Sequence, residues 1–136
     1  MTRPPWGVES PGRPHIWETL GYRNVGWEPG SISIEWDASE DYCFRFKDGY
    51  VVHGGMVATL LDTAMGGACW TLLEDAESFL TADLHVEFFR AARPGPLRAE
   101  GRVVHRNRRL MFCAAELFDA EGVQLAAARC TQVLLA

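Results

Sequence analysis

The segment Val51 to Leu73, VVHGGMVATLLDTAMGGACWTLL, decides the architecture. Its apolar run carries one charge, Asp62, and His53-Gly54-Gly55 precedes it where a helix would start. A lone carboxylate is expensive to bury, so its place in the helix needs a reason. Val57, Leu60, Leu61, Ala64, Ala68 and Leu72 recur at helical spacing and form a core face. A second face carries Gly55, Thr59, Asp62, Gly66 and Cys69, all small or polar, and such a face lets another backbone or a narrow ligand come close. Asp62 therefore points at an interface or a crevice. It is either a structural carboxylate, bonded to backbone or to an arginine, or a group that does chemistry. Gly54-Gly55 either makes the bend into the helix or presents free N–H groups to a developing negative oxygen. The run Met56 to Leu73 has about the minimum length of a membrane span. Asp62, the threonines, Gly66-Gly67 and the lack of a second such run make it a buried helix instead.

Outward from this helix the chain alternates. Ser31-Ile32-Ser33-Ile34-Glu35-Trp36 is a half-buried strand, preceded by a turn-rich connection over Gly26 to Gly30. Asp37 to Gly49 has no clean period and is expected to form loops with a short extended piece. Beyond the polar break Glu74 to Glu77, Leu80, Ala82, Leu84, Val86 and Phe88 alternate with Thr81, Asp83, His85 and Glu87, a strand with one apolar face. Arg93-Pro94-Gly95-Pro96 turns the chain into a strand over Leu97 to Arg106. Asn107-Arg108-Arg109 is a tight turn, Leu110 to Phe118 the next strand, Asp119 to Gly122 a hairpin loop and Val123 to Leu134 the last strand. His15 to Leu20 can form a short helix stopped at Gly21, and residues 1–14, rich in proline, form an irregular arm. The expected fold is α+β: one domain over 15–136, a single curved antiparallel sheet of about five strands wrapped around one long helix.

Composition narrows the partners. A net charge of −5 argues against nucleic acid and membrane surfaces, which favour a basic balance. Cys43, Cys69, Cys113 and Cys130 show no zinc or CxxC spacing, and Met1 to Trp6 is no signal peptide, so free thiols in a reducing cytoplasm are expected. No metal site and no other cofactor is expected. A GxSxG motif is absent, which leaves a serine-hydrolase mechanism without support.

The motif HGGMVATLLDTAMGGA, with Asp62 nine residues after His53, resembles the signature of the hotdog-fold acyl-CoA thioesterases. The similarity is to the PaaI-type, phenylacetate-pathway-like branch of the 4-hydroxybenzoyl-CoA thioesterase superfamily. Leu20-Gly21, the strand started at Gly30, Thr81-Ala82-Asp83-Leu84 and Glu121-Gly122 fit as well, so the resemblance covers about residues 15 to 135. It implies hydrolysis of an acyl-CoA or aryl-CoA to a free acid and CoA by an obligate homodimer, often a dimer of dimers, with active sites between subunits. It further implies Asp62 as general base or nucleophile, and Gly55 with Gly54 polarising the thioester carbonyl. By the same resemblance His53 orients the loop or substrate, and Thr81 stands where a Ser or Thr positions water. Many members carry Asn six residues before the motif histidine; here Lys47 stands there, either altering substrate positioning or lying in solvent.

Helix geometry adds a condition of its own. Nine residues at roughly 1.5 Å each put Asp62 about 14 Å from the start of its helix. If both groups act on one thioester, the helix mouth and the carboxylate must come from different subunits. Arg93, Arg108 and Arg109 are candidates to hold CoA phosphates, or ordinary solvated turn residues. Two other functions compete: a non-catalytic acyl-CoA-binding module, and a hotdog enoyl-CoA hydratase, whose Asp/His pair is not found around His53 or His85.

Overall fold

The computed structural model describes residues 3–5 and 13–136; of the expected arm, residues 1, 2 and 6–12 lie outside the described residues. In chain order the elements are α1 (His15–Leu20), β1 (Arg23–Glu28), β2 (Ser31–Ala38), a 3-10 turn (Glu40–Tyr42), β3 (Cys43–Phe46) and β4 (Gly49–Val52). Then follow α2 (Gly54–Trp70), β5 (Ser78–Phe88), β6 (Gly95–Arg106), β7 (Leu110–Asp119) and β8 (Gln124–Leu135). The architecture is α+β, an antiparallel sheet around one long helix, but the sheet has six strands where five were expected, in the order β1-β2-β6-β7-β8-β5.

Two stretches differ from the sequence reading. Gly26 lies inside β1, which pairs with β2 across a bulge between Asn24 and Gly26, rather than in a turn. Almost every residue of β1 is exposed, so this edge strand has no apolar period to announce it. The loop region before the motif contains a β3–β4 hairpin closed by Lys47 and Asp48, with Lys47 in the left-handed region at φ 56°. Lys47 is thus a turn residue; its ammonium lies 5.4 Å from the Phe46 ring centroid.

The helix α2 is held by the face its spacing predicts. Val57, Leu60, Leu61, Ala64 and Ala68 are all buried, joined by Met65, Gly67 and Cys69. Each fully buried leucine contributes about 1.5–3 kcal/mol. Cys69, assigned by spacing to the small-residue face, belongs to the core. The sheet comes so close to the helix that a Cβ on Gly101 of β6 would lie 2.5 Å from the Ala64 backbone carbonyl. Only glycine fits there.

One irregularity sets up the site. In β5 the register with β8 shifts between Thr81 and Asp83, leaving Ala82 as the extra residue of a bulge. Thr81 faces the same side as its partner Gln132, whereas Asp83 faces the other side beside Thr131. Simple alternation puts Thr81 with Asp83, His85 and Glu87; the bulge separates them. Leu80 likewise parts from Leu84, Val86 and Phe88, which pair with the buried Cys130, Ala128 and Ala126.

Candidate active site

The mouth of α2 is built by His53. Its backbone, at φ −55° and ψ 132°, precedes the helix, and its Nδ1 accepts a hydrogen bond from the Gly55 N–H at 2.9 Å. The His53 carbonyl accepts from the N–H groups of Met56 and Val57. Histidine thus does the work an N-cap Ser or Asp does elsewhere. Gly55 permits the ring to lie close, since a Cβ there would meet His53 Nδ1 at 3.0 Å. The N–H of Gly54, at the first helical position, has no intrahelical partner. Beside it opens a cleft of 310 Å³ lined by Phe44, Val52, Gly54, Val57, Phe88 and Leu125.

Asp62 lies two turns further on, on the half-buried side of the helix. Its Oδ1 accepts a hydrogen bond from the Thr81 hydroxyl at 2.9 Å. Thr81 Oγ1 is also 3.0 Å from Oε1 of Gln132, which is wholly buried behind it. Burial pushes the Asp62 carboxyl above the usual carboxylate range, and the Thr81 hydroxyl pulls it partly back. A shallow crevice of 160 Å³ reaches Asp62, lined by Ile16, Trp17, Gly66, Phe79 and Thr81. The threonines on this side satisfy themselves, Thr59 donating to the Gly55 carbonyl and Thr63 to the Thr59 carbonyl.

The structure therefore brings together His53, Gly54 and Gly55 at one place, and Asp62 with Thr81 at another. The eight residues from Gly54 to Asp62 span about 12 Å of helix, so no single subunit unites the two groups. The arginines also divide. Arg93 donates to the Tyr50 carbonyl near the helix mouth. Arg108 and Arg109 are exposed in the β6–β7 turn, at the end where Arg106 binds the Leu72 carbonyl just past α2. His85 and Glu87 face outward on β5, 3.8 Å apart, away from Asp62. Among the aromatic side chains, Phe44 lines the mouth cleft, while Trp36 is buried against Tyr22 and Tyr42. Gln132 was not singled out by sequence reasoning. The available signal was a neutral amide at an inward position of a strand otherwise filled by Ala, Cys and Leu.

No helix among the described residues is long and apolar enough to cross a membrane. The family model of the thioesterase superfamily matches residues 49–126. A candidate esterase of Saccharolobus solfataricus, SSO2140, is 28% identical over 107 residues, covering 79% of this chain and 74% of that protein. The structure resembles that of a phenylacetic acid degradation-related protein from Ralstonia eutropha JMP134, with a TM-score of 0.82, 29% identity and 93% of each chain covered. The fold is also that of the BH2602 protein from Bacillus halodurans, solved with CoA, with a TM-score of 0.78, 22% identity, and coverage of 90% of this chain and 76% of that one. On the strength of a motif, a fold and a family match that spans α2 and the strands around it, the chain belongs to the thioesterase superfamily and is a thioester hydrolase.

Proposed function

We propose that this protein hydrolyses an acyl-CoA or aryl-CoA thioester, with residues 15–136 as its working domain and two subunits forming each site. The observation that carries the reading is Asp62 itself: a half-buried carboxylate, open to a crevice and held at one oxygen by Thr81. Oδ1 is engaged, and Oδ2 makes no hydrogen bond among the described residues, so Oδ2 is the atom placed to take a proton from water. The water attacks the thioester carbonyl, and the oxyanion is met by the helix mouth of the second copy. Gly54 N–H is the open donor there; Gly55 N–H joins it when His53 Nδ1 yields its bond. Collapse of the intermediate breaks the C–S bond, and the proton held on Asp62 passes to the leaving thiolate. Each aligned donor of this kind contributes about 3 kcal/mol to such a step.

The edge strand β5 supports the dimer. It is 11 residues long and has no partner on its outer side, yet it exposes Leu84 by 39% and Phe88 by 56%. A long apolar edge left in water invites pairing with another strand. A second copy docked there along β5 brings its α2 alongside this one, mouth toward carboxylate. Pairing of such dimers into tetramers remains part of the proposal, as do a cytoplasmic setting and the use of Arg93, with Arg108 and Arg109 from the far end, for CoA phosphates.

The test is thiol release across short, medium, long and aryl acyl-CoAs, with Asp62→Asn beside the wild type. Release by wild type and a loss of at least about a hundredfold in the Asn variant are expected. Full activity in Asp62→Asn would overturn the assignment. Binding of acyl-CoA without thiol release would turn the protein into a binding module.

A further inference from the structure

Two polar side chains are fully buried among the described residues, Thr71 and Gln132. Thr71 is explained by the fold: its hydroxyl donates to the Ala68 carbonyl at 2.7 Å and accepts from the Gly30 N–H at 2.8 Å. Gln132 caps nothing and closes no turn. It stands on β8, next to the edge strand, paired with Thr81 on one side and Met111 on the other. Its amide reaches Thr81 Oγ1 at 3.0 Å and Cys130 Sγ at 3.3 Å. A buried amide held by one hydroxyl and one weak sulfur partner is a poor way to fill a core, which Met or Leu would fill without desolvating a polar group.

Counting hydrogens shows what the amide does. Thr81 has one hydroxyl hydrogen and two oxygens within reach, Asp62 Oδ1 at 2.9 Å and Gln132 Oε1 at 3.0 Å. An ionised Asp62 only accepts, so the hydrogen goes to it. Thr81 must then accept from Gln132, which requires the amide N–H₂ to face Thr81 and the amide oxygen to face the Cys130 thiol, itself a donor. When Asp62 carries a proton, the chain runs the other way. Asp62 donates to Thr81, Thr81 to the amide oxygen, and the amide N–H₂ to Cys130 Sγ. Each contact along the chain joins a donor to an acceptor in both states.

We infer that Gln132 is a positioning residue that acts through Thr81 to hold the Asp62 carboxylate for proton transfer. It also lets their hydrogen-bond chain face either way as the proton comes and goes. This rests on Asp62 being the proton acceptor. The groups that face Asp62 from its neighbours are few: Thr81 and Phe79 from β5, Cys130 with Gln132 from β8, Ile16 and Trp17 from α1. Cys69, on α2 itself, is a neutral thiol pushed up to about 12 by burial, and a hydrogen bond with Cys113 together with burial keeps Cys130 neutral as well. No charged side chain among the described residues forms an ion pair with Asp62, so burial raises its carboxyl and the Thr81–Gln132 chain is the polar contact that opposes it.

The test is a double-mutant cycle on the intact protein: Gln132→Met, Thr81→Val and the pair together, each followed by thiol release against pH. Gln132→Met is expected to lower kcat about tenfold, leave KM within about twofold and move the acid limb to higher pH. The limb moves up because the ionised carboxylate loses a polarised donor. The double variant is expected to be no slower than Thr81→Val alone, since Gln132 works only through that hydroxyl. Its Tm should equal or exceed that of the wild type, which a structural glutamine would not allow. Gln132→Leu serves in the same cycle if the Met variant fails to fold. Multiplying effects in the double variant, or an unmoved pH limb in Gln132→Met, overturn the inference. Asp62→Asn, run alongside, separates the two readings. If it is inactive while Gln132→Met is silent, only the role of Gln132 falls; if it is fully active, both fall.

Discussion

Asp62 sits on α2 at a cost to the fold. Burial holds its carboxyl above the ordinary range and the Thr81 hydroxyl recovers only part of that. A folded-state pKa raised above the unfolded one means that the native protein binds the proton more tightly. The resulting stabilisation is complete below the pKa of an unfolded aspartate, about 3.9, and is lost as pH rises through the raised folded value. Above that value the ionised side chain weighs against folding. Asp62→Asn, which removes the charge and keeps the shape, should therefore melt higher than wild type at pH 7, with the gap closing as pH falls toward 4. Thermal unfolding of both proteins across that range checks it; an Asn variant that melts lower at pH 7 would show that the carboxylate is a structural anchor. Gain of stability with loss of turnover is what a site kept for chemistry predicts.

At the scale of elements, the decisive contacts are those of backbone with backbone. Gly101 brings β6 against α2 so closely that an added methyl group would meet the Ala64 carbonyl carbon and oxygen at 2.5 Å. Rigid main chain on both sides leaves nothing to move aside. Gly101→Ala should cost about 3 kcal/mol or more and lower the urea midpoint without changing the slope; a change under about 0.5 kcal/mol would mean that helix and sheet can part. These contacts also mark where sequence reading stops. The helix, β2 and the strands β6 to β8 were legible because each carries an apolar period that burial enforces; β5 was legible from its alternation of apolar and polar residues, although as an edge strand it is largely exposed. β1 was not, since an exposed edge strand has no inward face to pattern. The β3–β4 hairpin was hidden for a related reason, β3 being largely exposed and the turn made by Lys47 and Asp48 rather than by Asn-Gly. For the site, spacing alone led from Asp62 to a crevice and kept it from Gly54. It could not join Asp62 to Thr81. That contact depends on the bulge at Ala82, and a one-residue shift in pairing leaves no trace in a sequence that alternates on both sides of it.

For the whole molecule, the proposed site needs both the Gly54 mouth and the Asp62 carboxylate, which lie about two turns apart on the same helix. Gly54 offers a clean way to disable the mouth. Proline is favoured at the first position of a helix, where no intrahelical bond is lost. His53, at φ −55° and ψ 132°, already has the backbone that a residue before proline requires. Gly54→Pro should therefore fold, form dimers and lose activity through the missing N–H. Asp62→Asn is expected to lose activity through the missing carboxylate. If each site takes its mouth from one copy and its carboxylate from the other, a mixed dimer contains one site with both lesions and one site with neither. Half of randomly reassembled dimers are mixed, so unfolding and refolding the two inactive variants together should restore about a quarter of wild-type activity. If mouth and carboxylate served the same thioester from within one subunit, every site in every dimer would carry a lesion and mixing would restore nothing. The two arrangements thus differ between a quarter and none, and an affinity tag on one variant alone, with recovery of the untagged variant on the tag resin, establishes that mixed dimers have formed.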